Sequence, residues 1–285
     1  MKFLRVVEVL SPLFPNTKGP PKSINLTGSV TGLVKSIEAI RGCSDLILVA
    51  DVKNPDVLKL SSIHVASIIQ RRAGVEAAPV ITVRDSNRPL LRSTILTAFV
   101  LGLNSLMLVW GDRYPASAGV SNVYDYDDLA DTIADASSIA NRAGVTARIL
   151  TPVTLTSLAS EKGVARAKSR LDAGAEFLLA QPPTTDAGAT FERHLELLES
   201  SGLRSRVLLN AFPFRDSQDV RDCELYFGWK LPRRVHELAL SGQRSLLAEA
   251  RAVAWKIRES RLPGVYISTR GRPALARTVL EQSRP

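Results

Sequence analysis

Runs rich in Val, Ile and Leu recur eight times along the chain, at residues 4–10, 45–50, 78–83, 105–110, 147–151, 176–181, 206–212 and 264–269. Each is followed by a segment whose apolar residues fall three and four apart. Short β-branched runs bounded by turn residues predict strands, and the three-and-four spacing predicts helices that bury one face. Eight such alternations predict an α/β fold, a single (β/α)8 TIM barrel. Barrels of this kind carry their chemistry in the loops that follow the C-terminal ends of the strands.

Those ends are polar. In chain order they present Glu8, Asp51, Thr82 with Asp85, Asp112, Thr151, Gln181, Phe212 with Phe214, and Thr269 with Arg270. A buried, unpaired carboxylate costs several kcal/mol or takes up a proton, so acids at the ends of otherwise apolar strands predict a functional site. Asp51 is the weaker candidate because its register is ambiguous.

Composition narrows the picture. A chain of 285 residues with no composition break suits one barrel domain, residues 1–285, since about 250 residues is typical of the fold. With 45% hydrophobic and 23% charged residues it can bury a large core. The longest apolar stretch, 95–110, is interrupted by Thr97, Asn104 and Ser105, which argues against a membrane span. Glu8 within the first apolar run, with no small-residue cleavage site after it, predicts a strand there and not a signal peptide. Cys43 and Cys223 form neither a disulfide framework nor a metal motif, which predicts a cytoplasmic protein. His64, His194 and His236 all fall in predicted helices without ligand spacing, so they are read as packing or surface residues and no metal is expected. The net charge of +9 is scattered, with Arg71–Arg72 and Arg233–Arg234 the nearest to clusters. Such a surface is a solvated face or attracts anionic small molecules; a nucleic-acid partner is not expected.

Residues 74–112, GVEAAPVITVRDSNRPLLRSTILTAFVLGLNSLMLVWGD, resemble the third and fourth β/α units of the methylenetetrahydrofolate reductase family. The shared features are the E-A-A-P entry to a strand, Thr82 near its end, Asp85 after it, and Gly-Asp after the next strand. RLDAGAEFLLAQP is similar to the family's D-A-G-A entry leading to a folate-facing Gln. LLNAFPFRDSQDV through GWKLP keeps the family's spacing between two prolines, Pro213 and Pro232. VVEVLSP resembles the F-E-F-F-P-P strand, and GVYISTRGRP the last strand with its N-R pair. These segments span nearly the whole chain in the family's order.

The resemblance implies an oxidoreductase of one-carbon metabolism and methionine biosynthesis. It would reduce 5,10-methylenetetrahydrofolate, or a related pterin, to the 5-methyl form with electrons from NAD(P)H, through FAD as a flavoprotein. It implies that Glu8 is the acid that helps open the five-membered ring. The bland reading is a barrel-mouth salt bridge. Asp112 would stabilise the cationic intermediate beside the flavin; otherwise it caps a loop. Gln181 would meet the pterin edge, or simply ends a strand. Arg272 would hold a carboxylate tail, or begins the last helix. Thr82 and Trp110 would line the cofactor site, and Arg170 stands where the family has a lysine near the flavin phosphates.

The pattern also departs from the family. Val80, Trp110, Thr151, Leu155 and Ser217 stand where it has His, Arg, Tyr, His and Phe. Either FAD is held differently, with Trp110 stacking on its ring, or hydride passes from the nicotinamide straight to the folate. Two further readings stay open. One is a pterin-dependent methyltransferase; the other is a non-catalytic or partner-dependent barrel subunit of a reductase complex. On any of these readings a homo-oligomer or an electron-transfer partner is an open expectation.

Overall fold

The computed structural model describes residues 2–15, 25–52, 57–114 and 119–281. Its elements run β1 (Leu4–Leu10), β2 (Leu13–Pro15), α1 (Leu26–Glu38), β3 (Leu46–Ala50), β4 (Val57–Lys59), α2 (Ser62–Ala73), β5 (Glu76–Thr82), α3 (Arg88–Val100), β6 (Ser105–Val109) and α4 (Leu129–Arg142). They continue with β7 (Arg148–Thr154), α5 (Glu161–Asp172), β8 (Phe177–Gln181), α6 (Ala189–Ser200), β9 (Val207–Asn210), α7 (Ser217–Phe227), α8 (Arg233–Leu240), α9 (Gln243–Glu259), β10 (Gly264–Ser268) and α10 (Ala274–Leu280). Eight strands close into a barrel in the order β1-β10-β9-β8-β7-β6-β5-β3, the (β/α)8 architecture expected from the alternation. Strands covered on both faces read as unbroken apolar runs, and Leu46 to Val49 are accordingly buried without exception. Among the described residues no helix is long and apolar enough to cross a membrane.

The strand limits differ from the sequence reading in instructive ways. β5 begins two residues early, because Glu76 and Ala77 already pair with Leu46 and Ile47. β7 runs through Pro152 to Thr154 instead of stopping at Thr151. β9 stops at Asn210, although the Ala211 N–H still bonds the Tyr266 carbonyl of β10. Two three-residue strands, β2 and β4, pair antiparallel with Phe14 opposite Leu58; they were not foreseen.

The chain divides into two compact units. One comprises Glu8–Thr151 and Lys168–Phe177. It holds β3, β5 and β6 in parallel register, with Thr82 opposite Val109. At the N-terminal ends of its strands Arg148 bonds Glu76 at 3.1 Å and Glu176 at 3.2 Å, and Ser105 donates to the same Glu76 carboxylate. This network ties neighbouring strands at the rim of the barrel that serves stability more than chemistry.

The other unit comprises Met1–Val7, Pro152–Ala167 and Leu178–Pro285. Phe212, Phe214, Val220, Cys223, Val235 and Leu246 form a core there, with Trp229 packed against it. Asp216 caps α7 by accepting the Asp219 N–H at 2.7 Å. His194 of α6 is buried, its Nδ1 2.9 Å from the Thr184 hydroxyl. Burial, reinforced by Arg193 and opposed by Asp186, pushes its pKa from 6.5 down to about 4. The unfolded chain therefore binds a proton below pH 6.5 that the folded one refuses. Stability is full above that pH and falls as the pH drops toward 4, by at most about 3 kcal/mol from this group. A His194→Gln variant should lose that share of the pH slope in denaturant titrations; an unchanged slope would assign it to other groups.

Candidate functional site

In the first unit the polar groups gather where β5 and β6 end. The ladder between these strands continues beyond them, with the Val83 N–H on the Val109 carbonyl at 2.9 Å and the Arg84 N–H on the Trp110 carbonyl at 3.0 Å. Arg84 and Trp110 thus stand on rigid backbone. Gly111 follows with φ +89°, and a Cβ there would lie 2.6 Å from Thr82 Cγ2. Only glycine fits this close turn.

Arg84 is 3% exposed. Its Nε donates to Asp85 Oδ2 at 3.1 Å, and its guanidinium carbon lies 3.6 Å from the centroid of the Tyr114 ring. The Tyr114 hydroxyl donates to the same Asp85 oxygen at 2.9 Å. A carboxylate and an aromatic face together offset the cost of burying the guanidinium. Asp85 has φ +69°, a left-handed conformation that costs a non-glycine residue, and its N–H is fixed on the Val123 carbonyl at 2.8 Å. Burial and then Asp85 push the Tyr114 hydroxyl pKa up. Lys59 pairs with Asp51 and lies close enough to Arg84 to feel its charge. Burial and that charge lower the Lys59 pKa to about 8, with Asp85 opposing. Trp110 stacks on Tyr124, centroids 4.7 Å apart and planes 10° from parallel, while the Tyr124 hydroxyl donates to the Gly111 carbonyl at 3.0 Å.

In the second unit β8, β9 and β10 carry Gln181, Asn210 and Thr269 at or just past their C-terminal ends. Asn210 is 1% exposed and neither polar atom of its amide has a hydrogen-bond partner. Past β9, the Asp219 carboxylate is 2% exposed. It receives Arg215 Nη2 at 2.7 Å and Arg270 Nη1 at 2.6 Å. Arg270 itself has φ +47° and also reaches Cys223 Sγ at 3.6 Å. Burial pushes the Cys223 thiol up to about 11.

The structure brings four of the residues singled out in the sequence to one place: Thr82, Asp85, Trp110 and exposed Asp112 sit together at the ends of β5 and β6. Glu8 is half-buried near the end of β1. Arg5 of that strand lines a cleft of about 270 Å³ with Arg251 and Trp255 of α9, so the two-residue alternation turns Glu8 to the strand face away from α9. Gln181 is the last residue of β8 and is half-buried. Arg170 belongs to the last turn of α5, ahead of the N-terminal end of β8. Arg272 is exposed just before α10 and makes a backbone bond to the Thr269 carbonyl at 3.1 Å. Sequence reasoning passed over Lys59, Arg84, Tyr114, Tyr124, Asn210 and Asp219.

Positions that would have to hold a flavin dinucleotide, on the resemblance, are apolar or already engaged. Val80 and Leu155 are buried hydrophobes. The Thr151 hydroxyl donates to the Leu108 carbonyl at 3.0 Å, and Tyr124 covers one face of Trp110. Arg84, a guanidinium at the same strand ends that the resemblance does not name, is taken up by Asp85 and Tyr114. Two phosphates need several donors, and these residues do not fit FAD.

Solved structures share the fold, two of them over most of this chain. One, from Clostridium thermocellum, is described as an uncharacterized protein that binds two copies of 5-methyl-5,6,7,8-tetrahydrofolic acid; it matches with a TM-score of 0.63 and 11% identity over 98% of this chain and 94% of that one. An oxaloacetate acetylhydrolase matches with a TM-score of 0.54 and 13% identity over 94% of this chain and 76% of that one. At such identities the likeness establishes the barrel and nothing finer. No protein-family profile matches the chain, and neither does any curated protein.

Proposed function

We propose that this chain binds a reduced folate and reduces 5,10-methylenetetrahydrofolate to 5-methyltetrahydrofolate, with NAD(P)H as direct hydride donor and no flavin. The observation that carries the folate reading is the run of sequence segments that resemble a folate-dependent family in order along the chain, and the barrel fold shared with a protein that binds 5-methyltetrahydrofolate is in keeping with it. Those segments include Glu8, Thr82, Asp112 and Gln181. The flavin-free reading is supported by Val80, Thr151 and Leu155, which offer a dinucleotide no available donor. Two buried thiols suit a reducing cytoplasm.

The reaction then needs a proton, a stabilising charge and a hydride, of which the protein supplies the first two. Glu8 gives its proton to N10 as the bond from N10 to the bridging carbon breaks, leaving an iminium cation at N5. The carboxylate of Asp112 stabilises that cation; because Asp112 is exposed, its charge gains strength only once the bound ring excludes water. Hydride from the nicotinamide adds to the methylene carbon, which becomes the methyl group. One proton and one hydride enter, and NAD(P)+ leaves. Gln181 and Arg272 are the proposed contacts to the pterin edge and the glutamate tail. Arg170, with no flavin phosphate to meet, has no role in this scheme.

Calorimetry with 5-methyltetrahydrofolate, and NAD(P)H oxidation with and without the methylene substrate, test the proposal. We expect heat of binding, turnover only with substrate, and no flavin absorbance in the purified protein. Absence of binding to any reduced folate overturns it. A flavin-coloured preparation removes direct transfer, and folate binding without turnover favours the non-catalytic subunit, which the occupied flavin positions also suit.

A further inference from the structure

Among the described residues only Ser67 and Asn210 have buried side-chain polar atoms without a hydrogen-bond partner, and Asn210 alone leaves both a donor and an acceptor unmet. Leaving them so costs free energy comparable to two lost hydrogen bonds, which a protein tolerates where another molecule supplies the partners. The backbone here is fixed. The Asn210 carbonyl accepts the Thr184 N–H at 2.8 Å, and the next N–H, that of Ala211, donates to the Tyr266 carbonyl at 3.0 Å.

The direction of the side chain follows from register. Val265 lines a cleft with Ala254 and Trp255 and so faces α9. Tyr266, one residue on, faces the other way, and Asn210 is its partner on β9. Gly264 agrees, since a Cβ there would lie 2.9 Å from Leu208 Cδ2, two residues before Asn210. On the other side Leu179 pairs with Leu208, and two residues further that register sets Gln181 opposite Asn210. Two side-chain amides therefore end adjacent strands on one face, and Asn210 does not bond to Gln181. Gln181 is half-buried while the Asn210 amide is enclosed, so a ligand that meets Asn210 has to displace the groups that cover it.

We propose that Asn210, beside Gln181, reads the lactam edge of the pterin ring and is a specificity-determining residue of this protein. An amide offers an N–H donor and a carbonyl acceptor side by side, the complement of a ring N–H next to a ring carbonyl. The inference rests on the folate reading and adds a contact that the family resemblance did not supply.

Asn210→Leu and Asn210→Ala, titrated calorimetrically with 5-methyltetrahydrofolate and with p-aminobenzoylglutamate, test it. We expect affinity for the full folate to fall about 10- to 100-fold, and affinity for the pterin-free fragment to stay within about twofold. The melting temperature of Asn210→Leu should be unchanged or higher, because an apolar group of similar shape replaces two unmet polar atoms. Unchanged folate affinity overturns the assignment, and so does a variant that unfolds or loses both ligands alike, which would make the amide structural. If the unaltered protein binds no reduced folate, the functional reading itself fails; if it binds and the variants match it, only the role of Asn210 fails.

Discussion

Glu8→Gln is expected to lower turnover of 5,10-methylenetetrahydrofolate by about 10²- to 10⁴-fold, the range typical of a lost general acid. The dissociation constant for 5-methyltetrahydrofolate should stay within about threefold. Glutamine keeps the shape of the side chain and can still accept and donate hydrogen bonds, but it has no proton to give N10 when the ring opens. Binding and turnover falling together would identify Glu8 as one half of a structural ion pair, since the residue has interactions of its own in the barrel. Full activity in the variant would move the acid elsewhere.

The largest effect on stability is expected at Asp219. Its buried carboxylate holds Arg215 by Nε at 3.1 Å and Nη2 at 2.7 Å, takes the Arg215 backbone N–H at 3.2 Å, and binds Arg270 at 2.6 Å. The partnership pushes the Arg215 pKa up, as a charge-assisted bond does. Asp219→Ala leaves two guanidiniums facing each other and removes the contact that holds Arg270 at φ +47°. Breaking one side of a buried ion pair costs about 3–5 kcal/mol, which corresponds to a drop in melting temperature of roughly 6–20 °C. Arg270→Met should cost less, because Arg215 still pairs with the carboxylate. A loss below about 2 °C for Asp219→Ala would show that solvent replaces both bonds.

The eight strands were legible because each is a β-branched run closed by turn residues, and burial on both faces keeps such a run apolar. Their limits were less so. Pro152 reads as a stop, yet a strand can pass through a proline that has no N–H to give, and β7 does. β2 and β4 are three residues each, too short for any periodicity to register. At the candidate site the acids stood out, while their partners did not. Arg84, between Val83 and Asp85, reads as the first charged residue of a loop; its burial depends on Tyr114, thirty residues on. In T-R-G-R nothing local tells which arginine turns inward, and a carboxylate from α7 decides for Arg270 over Arg272. Asn210 did carry a signal, a side-chain amide inside an apolar strand where asparagine is disfavoured.

The two cysteines fall one to each compact unit, Cys43 within Glu8–Thr151 and Cys223 within Leu178–Pro285, and both are buried thiols. An alkylating reagent reacts only with a thiolate that it can reach, and the Cys223 thiol, at a pKa of about 11, is further protected chemically. Pulse-alkylation followed by peptide mapping would therefore time the opening of each half of the chain by its own internal clock, with no label engineered in.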